Sequence, residues 1–213
     1  MTPSNYSWID ERVATLGFWR SDNQPWCAPT PGDFERIETA IGASLPEDYR
    51  YFVGLYGGGM FLHEDFSIEA SINEPCPWGD SVSPEGLYSP CKGRDSIEEA
   101  LLTYRGRIPA GVIPIAPDAG GNEVCLDVAG EFPGSVWFWD HEQRWFTRNL
   151  QETAEELDAA GLDTRRFSVH DIIREWARRH ADRFDRPPDY MGMYRIAPSF
   201  ADFLRALHQV PYE

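Results

Sequence analysis

The stretch that decides the fold is Phe34–Gly59, FERIETAIGASLPEDYRYFVGLYGGG, which predicts two short helices joined by a turn. Thr30 and Pro31, just upstream, supply an N-cap and a first-turn proline. Apolar residues then recur at helical spacing, and Gly42 suits the left-handed residue that ends a helix. Pro46 begins the second helix, and the glycines at the end of the stretch close it. This pattern describes a packing scaffold without chemistry, which argues against an enzyme.

Composition indicates one globular domain over residues 1–213, since 42% of the chain is hydrophobic and 14% is aromatic. The net charge of −16 is concentrated in residues 61–142, which hold 15 acidic and four basic side chains. Such a field repels nucleic acid and anionic lipid and attracts basic protein partners. The alternative is that the charge serves solubility alone.

The cysteines and the N-terminus indicate a reducing cytoplasm with free thiols. No C-x-x-C pair and no cysteine–histidine spacing suited to zinc connects the four cysteines, which are Cys27, Cys76, Cys91 and Cys125. The first residues lack the basic and apolar regions of a signal peptide. The longest apolar runs are far too short to span a membrane.

The first half of the chain predicts helices and then strands. Ser7 and Asp10 are predicted to cap a first helix, and Ser96 is predicted to cap a helix that ends near Tyr104. Residues 112–116 form an apolar run whose Pro114 suggests an edge strand or the end of a strand. Residues 123–128 alternate between apolar and other side chains, as a half-buried strand does.

The second half predicts one more hairpin followed by helices. Residues 135–140 and 144–148 are expected to pair as strands that bring four aromatic side chains together, namely Trp137, Trp139, Trp145 and Phe146. Beyond residue 150 the pattern is helical, with caps predicted at Ser168 and Ser199.

Three blocks of sequence, taken in order, resemble the SMI1/KNR4 family, also called the SUKH superfamily. They are Phe34–Gly59, the segment from Ile113 to Asp127 continued by Val136–Glu142, and Ile196–Leu204. Two departures concern Gly57, where the family commonly has asparagine, and the long stretch between the second and third blocks. The resemblance implies an α+β fold with a mainly antiparallel, twisted sheet flanked by N-terminal and C-terminal helices. Residues 149–195 are then expected to be a helical insertion before the last helix.

The resemblance also implies a function in protein binding, without catalytic residues or a cofactor. Bacterial members look like immunity proteins that bind a cognate polymorphic or contact-dependent toxin domain and occlude its active site. Fungal relatives are regulators of cell-wall synthesis that act through protein contacts, so a regulatory scaffold without a toxin partner is the alternative. We expect no direct contact with nucleic acid or membrane, and we favour a monomer.

Each polar motif allows a chemical interpretation and a simpler structural interpretation. The glycines 57–59 lack the lysine of a phosphate-binding loop, and the run Asp140-His141-Glu142 lies on a predicted turn without metal-ligand spacing. Asp118 and Asp127 suit turn-stabilising bonds to the backbone better than a cation site. A hydrolase that uses Asp118, Asp140 and His141 remains a third hypothesis.

Acidic side chains in the irregular middle segment are the candidate partner-binding residues. They are Glu64, Asp65, Glu69, Glu74, Asp80 and Glu85, with Asp140 and Glu142 at the later turn. Such residues can mimic the phosphates that a basic toxin cleft expects, which favours a toxin of the nuclease type, while the alternative is a solvated loop.

Overall fold

The computed structural model describes residues 6–18, 28–61 and 63–212. These residues form seven α-helices and nine β-strands. The helices are α1 (Ser7–Leu16), α2 (Pro31–Ile41), α3 (Glu47–Tyr56), α4 (Ile97–Thr103), α5 (Leu150–Ala159), α6 (Val169–Arg179) and α7 (Phe200–Ala206). The strands are β1 (Gly59–Met60), β2 (Phe66–Ser71), β3 (Ser81–Val82), β4 (Gly86–Leu87), β5 (Val112–Pro117), β6 (Glu123–Asp127), β7 (Val136–Trp139), β8 (Met193–Ala197) and β9 (His208–Pro211).

The two helices predicted over Phe34–Gly59 are confirmed as α2 and α3. Thr30 and Asp33 form a capping box at the start of α2, in which the Thr30 backbone N–H donates to Asp33 Oδ2 over 2.8 Å. Gly42 ends this helix with φ +79°, a left-handed conformation that glycine adopts without strain. Tyr49, Phe52 and Val53 of α3 are buried, so the spacing of apolar residues in the sequence correctly identified the face of this helix that packs on the core.

Three sheets carry the strands, and the predicted α+β class is confirmed. Strands β5-β6-β7-β8 form one sheet in that order, β3-β2-β9 form a second, and β1 pairs with β4. Strand β5 lies at an edge of its sheet, which is one of the two placements that Pro114 suggested, and Pro114 lies within the strand rather than at its end. Strand β6 turns Val124 and Leu126 toward the main core, where α7 packs against α1, α3 and β2.

Helix α1 exists as predicted, but its predicted cap is wrong. The N-cap is Tyr6, which offers no side-chain bond, and Ser7 already lies inside the helix. The fold anchors α1 from elsewhere: the Arg12 guanidinium donates to the carbonyl of Leu204 over 3.0 Å and to that of Leu207. The caps predicted at Ser96, Ser168 and Ser199 are confirmed, since each side chain accepts a backbone N–H of the first turn.

The predicted second hairpin is wrong, because residues 144–148 form turns rather than a strand. Strand β7 pairs with β6 on one side and neighbours β8 on the other. Trp145 and Phe146 therefore do not pair with β7. They pack edge-on against each other, with ring centroids 5.6 Å apart, and Phe146 also contacts Trp176 of α6.

The chain divides into two compact units, one formed by residues 1–139 and 194–213 and the other by residues 140–193. The second unit contains α5 and α6, close to the helical segment expected at 149–195. Its apolar centre consists of Leu157, Ile172 and Trp176, with further aromatic residues around them. Whether both units fold as one domain stays a prediction.

The cysteines differ in part from the expected set of free thiols. Cys76 and Cys125 are free, as predicted, but Cys91 is disulfide-bonded. Cys27 lies outside the described residues. Among the helices of the described part, none combines the length and apolar character that a membrane crossing requires.

Candidate functional site

Six of the predicted partner-binding acids lie on the strands and loops around β2. Glu64 and Asp65 precede β2, Glu69 lies on it, and Glu74, Asp80 and Glu85 follow it in the connections toward β3 and β4. A six-residue strand is about 20 Å long, so Glu64 and Asp65 at its start lie far from Glu74 and Asp80 beyond its end. Strand β3 runs back along β2, and the carbonyl of Glu85 accepts the Phe61 N–H over 3.0 Å, so Glu85 lies on the side where β2 begins. We call the six residues the β2 acidic surface.

Three members of the β2 acidic surface carry uncompensated charge. Glu64, Asp80 and Glu85 are exposed, and within the described residues their carboxylates have no ion pair or hydrogen bond. Asp65 is also exposed, with His63 Nδ1 3.7 Å from its Oδ2. These side chains therefore project negative charge into solvent, where a basic partner can reach it.

The other two members hold the local structure together. Glu69 is half-buried, accepts a hydrogen bond of 3.0 Å from Ser67 Oγ, and stands opposite His208 in the β2–β9 pair. Glu74 accepts the backbone N–H of Arg195, so it ties the β2–β3 connection to β8. Both positions are structural at least in part, which the sequence did not show.

Asp140 and Glu142, the remaining two candidates, have different environments in the second unit. Asp140 is fully buried, and its oxygens accept the backbone N–H groups of Glu142 (2.9 Å) and Arg144 (2.5 Å). Glu142 is exposed and forms an ion pair of 2.9 Å with Arg144. Asp140 thus organises the turn, as the alternative interpretation predicted, and Glu142 is the accessible acid there.

The carboxylates considered for a cation site also bind backbone. Both oxygens of Asp127 accept N–H groups of the following loop, at 2.7 Å from Gly130 and 2.8 Å from Phe132. Asp118 Oδ1 accepts the N–H of Ser83 at 2.6 Å. Throughout the described ranges, no group of three or more histidine, cysteine or acidic side chains could hold a metal ion.

A buried polar cluster on the other face of β6 was not recognised from the sequence. Glu123 is 1% exposed, and Tyr88 Oη lies 3.1 Å from both of its carboxylate oxygens. Burial raises the pKa of Glu123 to about 7, although hydrogen bonds from Tyr104 and Tyr88 oppose this shift. The signal in the sequence was a glutamate inside an otherwise buried strand, but its two tyrosines are distant in sequence.

A surface groove adjoins this cluster through Tyr104. Its volume is about 420 Å³. Helix α4 and the loop after it form one side of the groove, and the beginning of β5 forms the other. Leu101, Ile108 and Pro114 contribute apolar walls, and Leu102 on the same helix is 67% exposed. The groove is therefore mostly apolar, unlike the β2 acidic surface.

Comparison with known protein sequences shows the family of this chain. A sequence profile of the SMI1 / KNR4 family (SUKH-1) matches residues 28–206, which is most of the chain. The chain belongs to this family. The resemblance inferred from the three sequence blocks is thereby confirmed.

A separate comparison with individual proteins shows similarity to the SPbeta prophage-derived uncharacterized protein YokK of Bacillus subtilis (strain 168). It is 35% identical over 123 residues, which cover 53% of this chain and 62% of YokK. The chain thus matches less than two thirds of the relative's length. No solved structure is significantly similar to this protein.

Proposed function

We propose that this SMI1/KNR4 protein is a cytoplasmic immunity protein that binds a cognate toxin domain and blocks it by covering its active site. Membership of the family supports a protein partner. The observation that carries the proposal is the uncompensated, exposed charge of Glu64, Asp80 and Glu85 on the β2 acidic surface. A surface of this sign suits a basic toxin, such as a nuclease.

Electrostatics would act mainly on the rate of association. Opposite charges on two proteins raise the rate of encounter, and salt screens this attraction. The three uncompensated carboxylates lie on loops held by β2, β3 and β4, so they are presented on a supported framework. Apolar contacts would then slow dissociation.

The alternative of a hydrolase receives no support from the polar residues that were its candidates. A general base needs a carboxylate that is free to accept the proton of a substrate or water. Asp140 uses both oxygens on backbone N–H groups, and Asp118 Oδ1 accepts the Ser83 N–H. We therefore propose binding without catalysis.

A growth-rescue experiment tests the proposed function. The immunity hypothesis predicts that the gene of the toxin adjoins this one. The C-terminal domain of a large multidomain protein encoded there is expressed in a sensitive host, with and without this protein. Rescue is expected. Toxicity without rescue would contradict immunity toward that domain, and capture of binding partners from a native lysate would then test the regulatory scaffold.

Charge variants test the role of the β2 acidic surface once a toxin is in hand. The triple variant Glu64→Gln, Asp80→Asn, Glu85→Gln should lower the association rate constant about tenfold at low salt. It should also flatten the dependence of this rate constant on salt between about 50 and 500 mM.

A matched control removes the same number of charges elsewhere. Glu11, Glu35 and Glu152 are exposed, and their carboxylates have no partner within the described residues. Changing these three to glutamine should leave the association rate nearly unchanged. Equal losses in both triple variants would show that only net charge matters, and association insensitive to salt would refute the electrostatic mechanism.

A further inference from the structure

The cluster around Glu123 differs from the other buried carboxylates in its hydrogen-bond partners. Asp127 and Asp140 accept backbone N–H groups, which can only donate. Glu123 instead meets the hydroxyl groups of Tyr88 and Tyr104, which can donate or accept. A hydroxyl can reorient, so this site accommodates both the carboxylate and the protonated carboxyl group.

Several structural elements meet at this carboxyl group. Tyr88 follows β4, while Tyr104 and Arg107 lie in the loop after α4. The Arg107 guanidinium lies over the rings of Tyr104 and Trp139, at 5.5 and 5.0 Å from their centroids. The titratable and charged groups that act on Glu123 are Tyr88, Tyr104, Arg107, Asp118 and Cys125.

The charges around Glu123 have opposing effects on its ionisation. Arg107 favours the carboxylate, and the negative charge of Asp118 opposes it. Burial is the largest influence and also opposes it, because a carboxylate loses hydration in an apolar interior. Burial likewise raises the pKa of Tyr88, Tyr104 and Cys125, so these three groups remain neutral when Glu123 titrates.

Tyr104 connects the carboxyl group to the groove. Its side chain bonds Glu123, and the same residue lines the groove between α4 and β5. Its carbonyl accepts the backbone N–H groups of Arg107 (2.9 Å) and Ile108 (3.2 Å), which shape the loop that forms one wall. One residue therefore takes part both in the hydrogen bonding of Glu123 and in the wall of the groove.

We propose that Glu123 is a proton-sensitive element of the fold, whose ionisation loosens the loop 104–109 and so changes the groove that this loop lines. With a proton bound, the carboxyl group is neutral and remains between the two hydroxyls. Without the proton, the charge is hydrated better when the loop opens and admits water. The inference is independent of the proposed immunity function, since it concerns only this chain.

Hydrogen exchange across a pH series tests the proposal on the full-length protein. The amides of Arg107 and Ile108, which donate to the Tyr104 carbonyl, report opening of the loop 104–109, after correction for the intrinsic pH dependence of exchange. If opening returns the pKa of Glu123 from about 7 to its ordinary 4.5, the opening equilibrium should rise about tenfold between pH 6 and pH 8.

Two glutamine variants give the comparison. Glu123→Gln removes the titration but keeps the shape, so exchange of the same amides should become independent of pH. Glu35→Gln, at an exposed position of α2, should keep the response of the unmodified protein. A flat profile in the unmodified protein, or the same slope in Glu123→Gln, overturns the proposal.

A second measurement keeps the test decisive if Glu123→Gln fails to fold. The side-chain carboxyl carbon of Glu123 is followed by carbon-13 NMR through the same pH series. A midpoint near neutral pH, together with exchange of the loop amides that follows the same midpoint, supports the proposal. A midpoint in the ordinary range of glutamate overturns it.

Discussion

Removing the hydroxyl group of Tyr49 should stabilise this protein. Tyr49 lies on α3 and is 0% exposed, with its ring edge-on to Phe200 at a centroid distance of 4.9 Å. Its hydroxyl has no hydrogen-bond partner among the described residues. Burial raises the pKa of Tyr49, so the group remains a neutral hydroxyl that has lost its water. Phenylalanine keeps the ring contacts and removes this buried polar atom.

The size of the effect follows from two opposing contributions. A buried polar group without a partner costs about 1–3 kcal/mol. Deleting the oxygen leaves a void of roughly 10–15 Å³, which costs only about 0.3 kcal/mol at about 24 cal/mol per Å³. Tyr49→Phe should therefore raise the free energy of unfolding by about 1–2 kcal/mol. The melting temperature should rise by about 2–8 °C.

Urea unfolding followed by tryptophan fluorescence measures this change, and calorimetry gives the melting temperature. The matched control is Tyr88→Phe, which is the same chemical change at a hydroxyl that donates to Glu123. That variant should lose about 1–3 kcal/mol, because the buried carboxyl group loses a donor. A loss of stability in Tyr49→Phe as large as in the control would refute the reasoning, since it would mean that the hydroxyl has a hydrogen-bond partner.

Three further substitutions probe features that the structure assigns to single residues. Asp127→Ala should lower the free energy of unfolding by about 3 kcal/mol, because two N–H groups of the next loop lose their acceptor. Urea titration measures this change, and a loss under about 1 kcal/mol would contradict the prediction. Gly111→Ala should destabilise the protein more than Gly42→Ala. Both glycines have positive φ, but only at Gly111 would the new Cβ lie 2.5 Å from a backbone atom of Ala129. Equal melting temperatures of the two variants would disprove the role of that contact. Asp33→Asn should cost about 1 kcal/mol at pH 7 through the capping box. Hydrogen bonds from Thr30 lower the pKa of Asp33 to about 2, so this difference should shrink as the pH falls from 4 toward 2, and a constant difference would contradict the assignment.

The elements that were predicted correctly are those whose signals are local. Helices α2 and α3 follow from apolar spacing, a capping box and Gly42, all within a few residues of one another. Strands β5 and β6 are likewise bounded by the glycine turn between them. These features need no distant partner, so the pattern along the chain is sufficient.

The errors occur where a distant contact decides the outcome. Strand β9 pairs with β2, so His208 lies opposite Glu69 although most of the sequence separates these two residues. Residues 144–148 carry aromatic side chains that suit a strand, but the Asp140 carboxylate binds the N–H groups of the turn and directs the chain away. The alternation of apolar and polar residues along the chain does not reveal hydrogen bonds of this kind, in which a side chain accepts backbone N–H groups.

The sequence by itself determined the family, the α+β class, the two entry helices and the excess of acidic residues in the middle of the chain. Only the tertiary structure decided which acids face solvent. Glu64, Asp80 and Glu85 remain exposed and unpaired within the described residues, whereas Glu123 and Asp127 are buried. The physical reason is that charge is a property of the residue, whereas its hydration depends on the strands and loops that the fold packs around it.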